Sequence, residues 1–192
     1  MGQVEGQIRN EPVDAEREAR RQLALSQIRQ YPDPVLRMKA KPVDVYDDEL
    51  TRLSARMASL MVDAIGVGLA ATQIGILRRV FVFQPDRESD ETIALVNPTI
   101  GERSEEIETE DEGCLSLQGV TIPVERNLRV TVSGRGVDGG DVRVELEGLG
   151  ARVAQHELDH LDGILILDRT TPEARREALG ILRPQPLLGP VT

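Results

Sequence analysis

Gln155-His156-Glu157-Leu158-Asp159-His160 contains both histidines of a 192-residue chain, four positions apart, with a glutamate directly after the first. Two histidines placed at random in a chain of this length fall four apart about 1% of the time, before any glutamate is required. On a helix, positions i and i+4 lie one turn apart on the same face, so both imidazoles can hold one cation while Glu157 stands beside it. This is the HExxH spacing of zinc hydrolases, in which the glutamate handles a proton. The pattern predicts a helix from about Leu149 to Leu161 that ends at Gly163 and forms the centre of the fold.

A catalytic metal needs three protein ligands and an open position. No third histidine exists, and Ile166 stands where a metzincin would carry its third, six residues beyond His160. Two kinds of ligand remain. Cys114 could supply a thiolate suited to zinc or ferrous iron. A gluzincin-like protein would instead use a downstream carboxylate, and Glu173 and Glu177 are in range on a third predicted helix that starts at Pro172. The spacing alone leaves both open.

Upstream, Leu50, Leu53, Met57, Leu60, Met61 and Ala64 recur at helical spacing behind the cap candidates Asp47 and Asp48, with Gly66 as the expected stop. Val80–Phe83, Ile93–Val96 and the alternating Leu128–Val132 read as strands, and Val137–Val144, around Asp138-Gly139-Gly140, reads as a hairpin. The expected fold is therefore α+β, with mostly antiparallel sheets packed around a central HExxH helix and a helix near each end. Residues 1–24 read as a flexible extension with a loose helix from Ala15 to Leu25, residues 25–183 as one catalytic domain, and residues 184–192 as a frayed, proline-rich tail. The stretch Glu102–Glu112 holds seven acids against one arginine, which reads as a solvated strand face protected from edge pairing.

Composition narrows the function. The net charge of −10 repels phosphate backbones and anionic lipid, and two Tyr plus two Phe are too few for base stacking. No nucleic-acid or membrane binding is expected. One cysteine cannot close an intrachain disulfide, and the first twenty residues mix acids with arginines, unlike a targeting peptide, so the expected compartment is the cytoplasm. Gly66-Val67-Gly68-Leu69-Ala70-Ala71 fits a permissive dinucleotide fingerprint, but that fingerprint follows a strand and opens a helix, whereas here a helix comes first. Gly68, lacking a Cβ, instead lets another backbone approach closely, as a peptide adding itself as a strand would.

Three motifs occur in order: Gly66-Val67-Gly68-Leu69-Ala70-Ala71-Thr72-Gln73, Glu112-Gly113-Cys114-Leu115-Ser116 and Gln155–His160. Together they resemble the motifs of the bacterial peptide deformylases, and the resemblance extends to Tyr31-Pro32-Asp33-Pro34-Val35-Leu36-Arg37 and Leu161-Asp162-Gly163, covering roughly residues 27–169. It implies hydrolysis of the formyl group from the N-terminal formyl-methionine of new polypeptides, at or near the ribosome. It implies Cys114, His156 and His160 as ligands of one divalent metal, Fe2+ first, with Zn2+, Ni2+ or Co2+ as substitutes. Glu157 would be the general base, and the Gln73 amide and the Leu115 N–H would face the oxygen that becomes negative. Val67, Gly68, Glu112, Gly113 and Val153 would contact substrate, Val153 and Leu115 walling the methionine pocket. Many family members carry Pro and Arg four and seven residues after the metal cysteine, where this chain has Gln118 and Thr121. Arg126 and Arg129 are the candidates to replace that arginine.

Overall fold

The computed structural model describes residues 15–86 and 91–182; residues 1–14 of the expected extension and the tail at 184–192 lie outside the described residues. Helix α1 spans Ala15–Leu25, and its last two residues are buried against helix α2, Asp48–Asp63. The helix thus crosses the expected boundary at 24, with Ala24 in the core. Helix α2 starts where the carboxylate of Asp47 accepts the N–H of Leu50 at 3.0 Å, which satisfies one of the donors left open at a helix start. Its end differs from expectation. The residue in the left-handed region is Ile65, with φ 61°, not Gly66. The N–H of Gly66 bonds to the carbonyl of Met61 at 2.8 Å and that of Ile65 to Val62 at 3.0 Å, the paired bonds of a Schellman ending. A β-branched residue in that conformation is strained, and the strain sits directly before the glycine loop.

That loop becomes strand β1, Gly68–Ala70, followed by β2, Val80–Phe83, and β3, Ile93–Arg103. Strand β3 is longer than the expected Ile93–Val96. Pro98 breaks the ladder locally, yet Asn97 takes φ 51° and the register shifts around it, after which pairing resumes. Strands β4, Ile107–Gly113, and β5, Thr121–Asn127, form a two-stranded sheet; β6, Arg129–Arg135, and β7, Asp141–Glu147, complete a five-stranded one of order β1-β2-β3-β6-β7. All strand pairs are antiparallel. The acidic run divides between the end of β3, a turn and β4, whose residues up to Asp111 are exposed.

Helix α3, Gly148–Leu161, touches strands of both sheets, and its residues from Gly150 to Leu161 are buried apart from Leu158. Gly150 is required there, because a Cβ would stand 2.7 Å from the carbonyl oxygen of Pro85. Helix α4, Pro172–Leu182, packs on β5 through Ala178. The α+β class and antiparallel sheets agree with the sequence pattern. Among the described residues, no helix is long and apolar enough to cross a membrane.

Candidate active site

Helix α3 presents His156 and His160 to Cys114, which follows β4 directly. The Nε2 atoms of the two histidines lie 3.1 Å apart, and Cys114 Sγ lies 3.2 Å from His160 Nε2. All three residues are buried, and one ligand atom from each falls within 4.8 Å of the others. Glu173 and Glu177, the alternative ligands, are exposed on α4, and they take no part in this cluster.

The ring of His156 is held from behind. Its Nδ1–H donates to Glu112 Oε2 at 2.9 Å. The same carboxylate accepts Arg126 Nε and Nη2, at 2.9 and 3.0 Å, and Arg152 Nη1 at 2.9 Å. Burial alone would push the Glu112 carboxyl up, but the hydrogen bonds from His156 and Arg126 hold it far below the usual carboxylate range. Glu112 is therefore ionised and accepts from His156 Nδ1, which fixes the ring with Nε2 turned toward the cluster. Arg126 in turn donates to Asp159 Oδ2 at 2.6 Å, and Arg169 donates to both oxygens of Asp159. Burial would lower the Arg126 pKa, but Glu112 and Asp159 outweigh it and keep the guanidinium charged.

The donor set fits a cation. Burial, then His156 and Arg126, push His160 well below the ordinary histidine value, so it is neutral, and its buried Nδ1 has no hydrogen-bond partner among the described residues. Burial pushes the Cys114 thiol far up, with Glu157 and Glu112 adding to this against hydrogen bonds from the backbone of Ser116 and Leu117. Two ring nitrogens and a sulfur thus converge in a buried space, where a bound cation would take the place of the thiol proton. Tetrahedral zinc with bonds of about 2.0 to 2.3 Å separates such donors by about 3.3 to 3.6 Å, within a few tenths of an ångström of the His156–His160 and Cys114–His160 distances.

Glu157 lies beside the cluster, against β1. A Cβ on Gly68 would stand 2.1 Å from Glu157 Oε1 and 2.8 Å from Val153 Cγ1. The space that Gly68 leaves is therefore filled by the Glu157 carboxylate, a tighter requirement than the approach of a peptide from outside. Val67, Leu115 and Val153 are buried nearby in the apolar clusters that flank β1 and α3.

Gln73 sits in the 3-10 turn after β1, fully buried. Its Oε1 accepts the N–H of Ala70 at 2.8 Å, and its Nε2 donates to Ser116 Oγ at 3.2 Å and lies 3.7 Å from Cys114 Sγ. Because the carbonyl end is taken, the amino end must point to the cluster. Thr72, next to it, donates from Oγ1 to the carbonyl of His160 at 3.1 Å and ties this turn to the end of α3.

A family model described as polypeptide deformylase matches residues 25–176. The peptide deformylase of Parafrankia sp. is 45% identical over 161 residues, covering 84% of this chain and 87% of the relative. That of Thermotoga neapolitana is 47% identical over 148 residues, covering 77% and 88%. The chain belongs to the polypeptide deformylase family. Solved deformylases share the fold. The crystal structure from Thermotoga maritima, 45% identical, superposes with a TM-score of 0.72 over 76% of this chain and 97% of that one. Arabidopsis thaliana peptide deformylase 1B in complex with an inhibitor is 38% identical, with a TM-score of 0.77 over 81% and 89%.

In this deformylase, Gly113 pairs with Thr121 across the two-stranded sheet, while Gln118 is exposed in the loop between. Neither expected substitute for an arginine at 121 is available. Arg126 is buried in the Glu112–Asp159 network, and Arg129, at the start of β6, pairs with Glu106 and Glu147. Sequence reasoning missed Arg152, Asp159 and Arg169, and treated Glu112 and Arg126 as substrate contacts rather than as partners of each other. Arg152 carries a signal that could have been used, since it lies four residues before His156 and extends the ligand stripe by one turn. Arg126 has no such signal: the β4–β5 register sets it opposite Glu108, and only its long side chain, reaching along the sheet, meets Glu112.

Proposed function

We propose that this deformylase removes the formyl group from the N-terminal formyl-methionine of nascent polypeptides, in the cytoplasm and close to the ribosome, with Cys114, His156 and His160 holding one divalent metal. The observation that carries this reading is the convergence of those three side chains, with Glu157 beside them, in a chain of the deformylase family. Helix α3, in this reading, is the HExxH metal helix around which the sheets are arranged. A bound divalent cation, Fe2+ in our reading with Zn2+, Ni2+ or Co2+ as substitutes, supplies Lewis-acid activation of water at neutral pH.

The chain's own residues do the rest. Glu157 takes a proton from the attacking water as oxygen adds to the formyl carbon, and returns it to the amine nitrogen as the carbon–nitrogen bond breaks and formate leaves. Gln73 Nε2 and the Leu115 N–H donate to the formyl oxygen as it gains charge, a contribution of about 3 kcal/mol for one such donor. Gly68 and Gly113, at the ends of β1 and β4, offer backbone to an extended peptide, and Val67, Leu115 and Val153 form apolar walls for the methionine side chain. Glu112 fixes the ring of His156. The catalytic unit is residues 25–183, with the flanking segments outside the chemistry.

The test is metal analysis of the purified protein together with a formyl-methionyl peptide assay. One metal per chain and release of formate are expected. A metal-loaded protein that binds the peptide and releases no formate would overturn the reading in favour of a peptide-binding role.

A further inference from the structure

The two groups assigned to the formyl oxygen, the Gln73 amide and the Leu115 peptide, come from separate stretches of chain. Both are tied to a third stretch, Ile28–Tyr31, that the chemistry has not used. The Arg29 N–H donates to the Gln73 carbonyl at 2.7 Å, and the Tyr31 N–H to the Ser116 carbonyl at 2.9 Å. Between them, Gln30 Nε2 donates to the Leu115 carbonyl at 2.9 Å and to the Ile28 carbonyl at 3.2 Å. Three consecutive residues thus each hold one residue of the site.

The loop that carries Leu115 has little freedom left. The Cys114 carbonyl accepts the Leu117 N–H at 3.0 Å, so the carbonyls of Cys114, Leu115 and Ser116 each have a partner. The peptide unit joining Cys114 to Leu115 cannot rotate without breaking one of these bonds. Ser116 closes the circuit, because its hydroxyl accepts Gln73 Nε2 while its carbonyl accepts Tyr31. The stretch itself is anchored by Ile28, buried in the same apolar cluster as Leu25 and Leu115. Two of its three ties are backbone hydrogen bonds that any residue but proline could make. The third depends on a side-chain donor of the length of glutamine.

We propose that Ile28–Tyr31 is a brace that sets the Gln73 amide against the Leu115 peptide, and that Gln30 is its positioning residue. This rests on the reading of Gln73 and Leu115 as the groups that face the formyl oxygen. Gln30 touches no reacting atom. It acts by holding one donor in register with the other, since a preorganised pair needs no rearrangement when charge develops. The role is absent from the ordered motifs because Gln30 lies outside them, and the contact reaches across the fold.

The experiment is the cycle of Gln30→Met, Gln73→Ala and the double variant, each assayed for kcat, KM, metal content and Tm. Gln30→Met keeps the length and removes the donor at a half-buried position. It should lower kcat roughly three- to tenfold, the equivalent of one neutral hydrogen bond, with KM within about twofold and one metal per chain. In the Gln73→Ala background the same change should cost less than about twofold, because one of the two donors it aligns is gone. Gln30→Glu, which turns an acceptor toward the Leu115 carbonyl, should fall further in kcat. If Gln30→Met shifts Tm alone, or if the two losses multiply, Gln30 is merely structural and the brace is overturned. An inert Gln73→Ala would overturn the donor assignment itself, which is distinct from a normal Gln30→Met beside an impaired Gln73→Ala.

Discussion

Two regions of this deformylase are equally buried and differ in everything else. Between α2 and the five-stranded sheet lie Leu50, Met57, Met61, Leu69, Val80 and Val82, an aliphatic layer with no directional partner. On α3 and against it lie Glu112, Arg126, Arg152, Asp159, His156 and His160, where Glu112 accepts from Arg126, Arg152 and His156, and Asp159 from Arg126 and Arg169. Removing these charges from water costs several kcal/mol each, and the pairing compensates only when the geometry is good. The aliphatic layer stabilises; the charged layer holds His156 and His160 in place. An aliphatic layer tolerates exchange at constant volume, whereas a charged layer with assigned protons does not.

The largest expected effect follows from exchanging shape for shape in each region. Glu157→Gln keeps the form of the side chain and cannot carry a proton, so turnover should fall by about 10² to 10⁴ or more while metal content stays near one per chain. Met57→Leu in the aliphatic layer should cost under about 1.5 kcal/mol and leave kcat alone. Metal loss in Glu157→Gln would mean that the carboxylate supports the site rather than the reaction.

Truncation sharpens the contrast. Leu50→Ala should destabilise by about 2 to 5 kcal/mol, through lost burial and the cavity left behind. Arg126→Leu should cost about 3 to 5 kcal/mol, because Glu112 and Asp159 are left as buried charges short of a partner. Stability alone does not separate the two. Metal affinity does: only Arg126→Leu should weaken it, by roughly 10- to 100-fold, since Glu112 then loses its hold on the ring of His156. Equal metal affinity in both variants would remove Arg126 from the account of the site.

The same contrast governs what can be read from the sequence. The aliphatic layer is legible, because its periodicity repeats every three to four residues and Asp47 marks its start. The ligand stripe is legible too, because His156 and His160 share one helix face. Strand β3 is not legible past Val96, since Pro98 reads as a breaker and only the fold shows Asn97 absorbing the kink. The charged layer is mostly invisible: Glu112, Arg126 and Asp159 come from β4, β5 and α3, and no local pattern ties them together. Cys114 lies between: spacing alone leaves its role open, and the fold supports the ligand reading by bringing its sulfur to the two histidines of α3.

A smaller effect is expected at the rim. Thr121 faces Gly113 across the two-stranded sheet, and no arginine of the charged layer is free to reach a substrate carbonyl in its place. Thr121→Arg should raise kcat/KM for formyl tripeptides by several-fold, about 1 kcal/mol at an exposed position, and barely change it for formyl-methionine. Equal gains on both substrates would show that the new side chain acts on the metal site and not on the peptide.

The smallest effect comes from placing the chemistry of the charged layer at the surface. Asp168 is paired with Arg37 and accepts the N–H of Leu165 at 2.9 Å, with side chains 29% and 38% exposed for Asp168 and Arg37. Burial pushes its carboxyl up, but Arg37 and Leu165 outweigh this and hold it below its ordinary value of 3.8. A carboxyl lowered by folding contributes stability above its unfolded pKa and loses it as pH falls toward the folded one. Water screens the pair, so Asp168→Asn should cost under ~1 kcal/mol at about pH 7. That difference should hold down to about pH 5 and shrink only below the ordinary carboxylate range, in urea unfolding of parent and variant side by side. A gap of several kcal/mol, as large as that of Arg126→Leu, would mean that exposure does not separate the two kinds of ion pair, and the contrast between surface and buried charge would fail here.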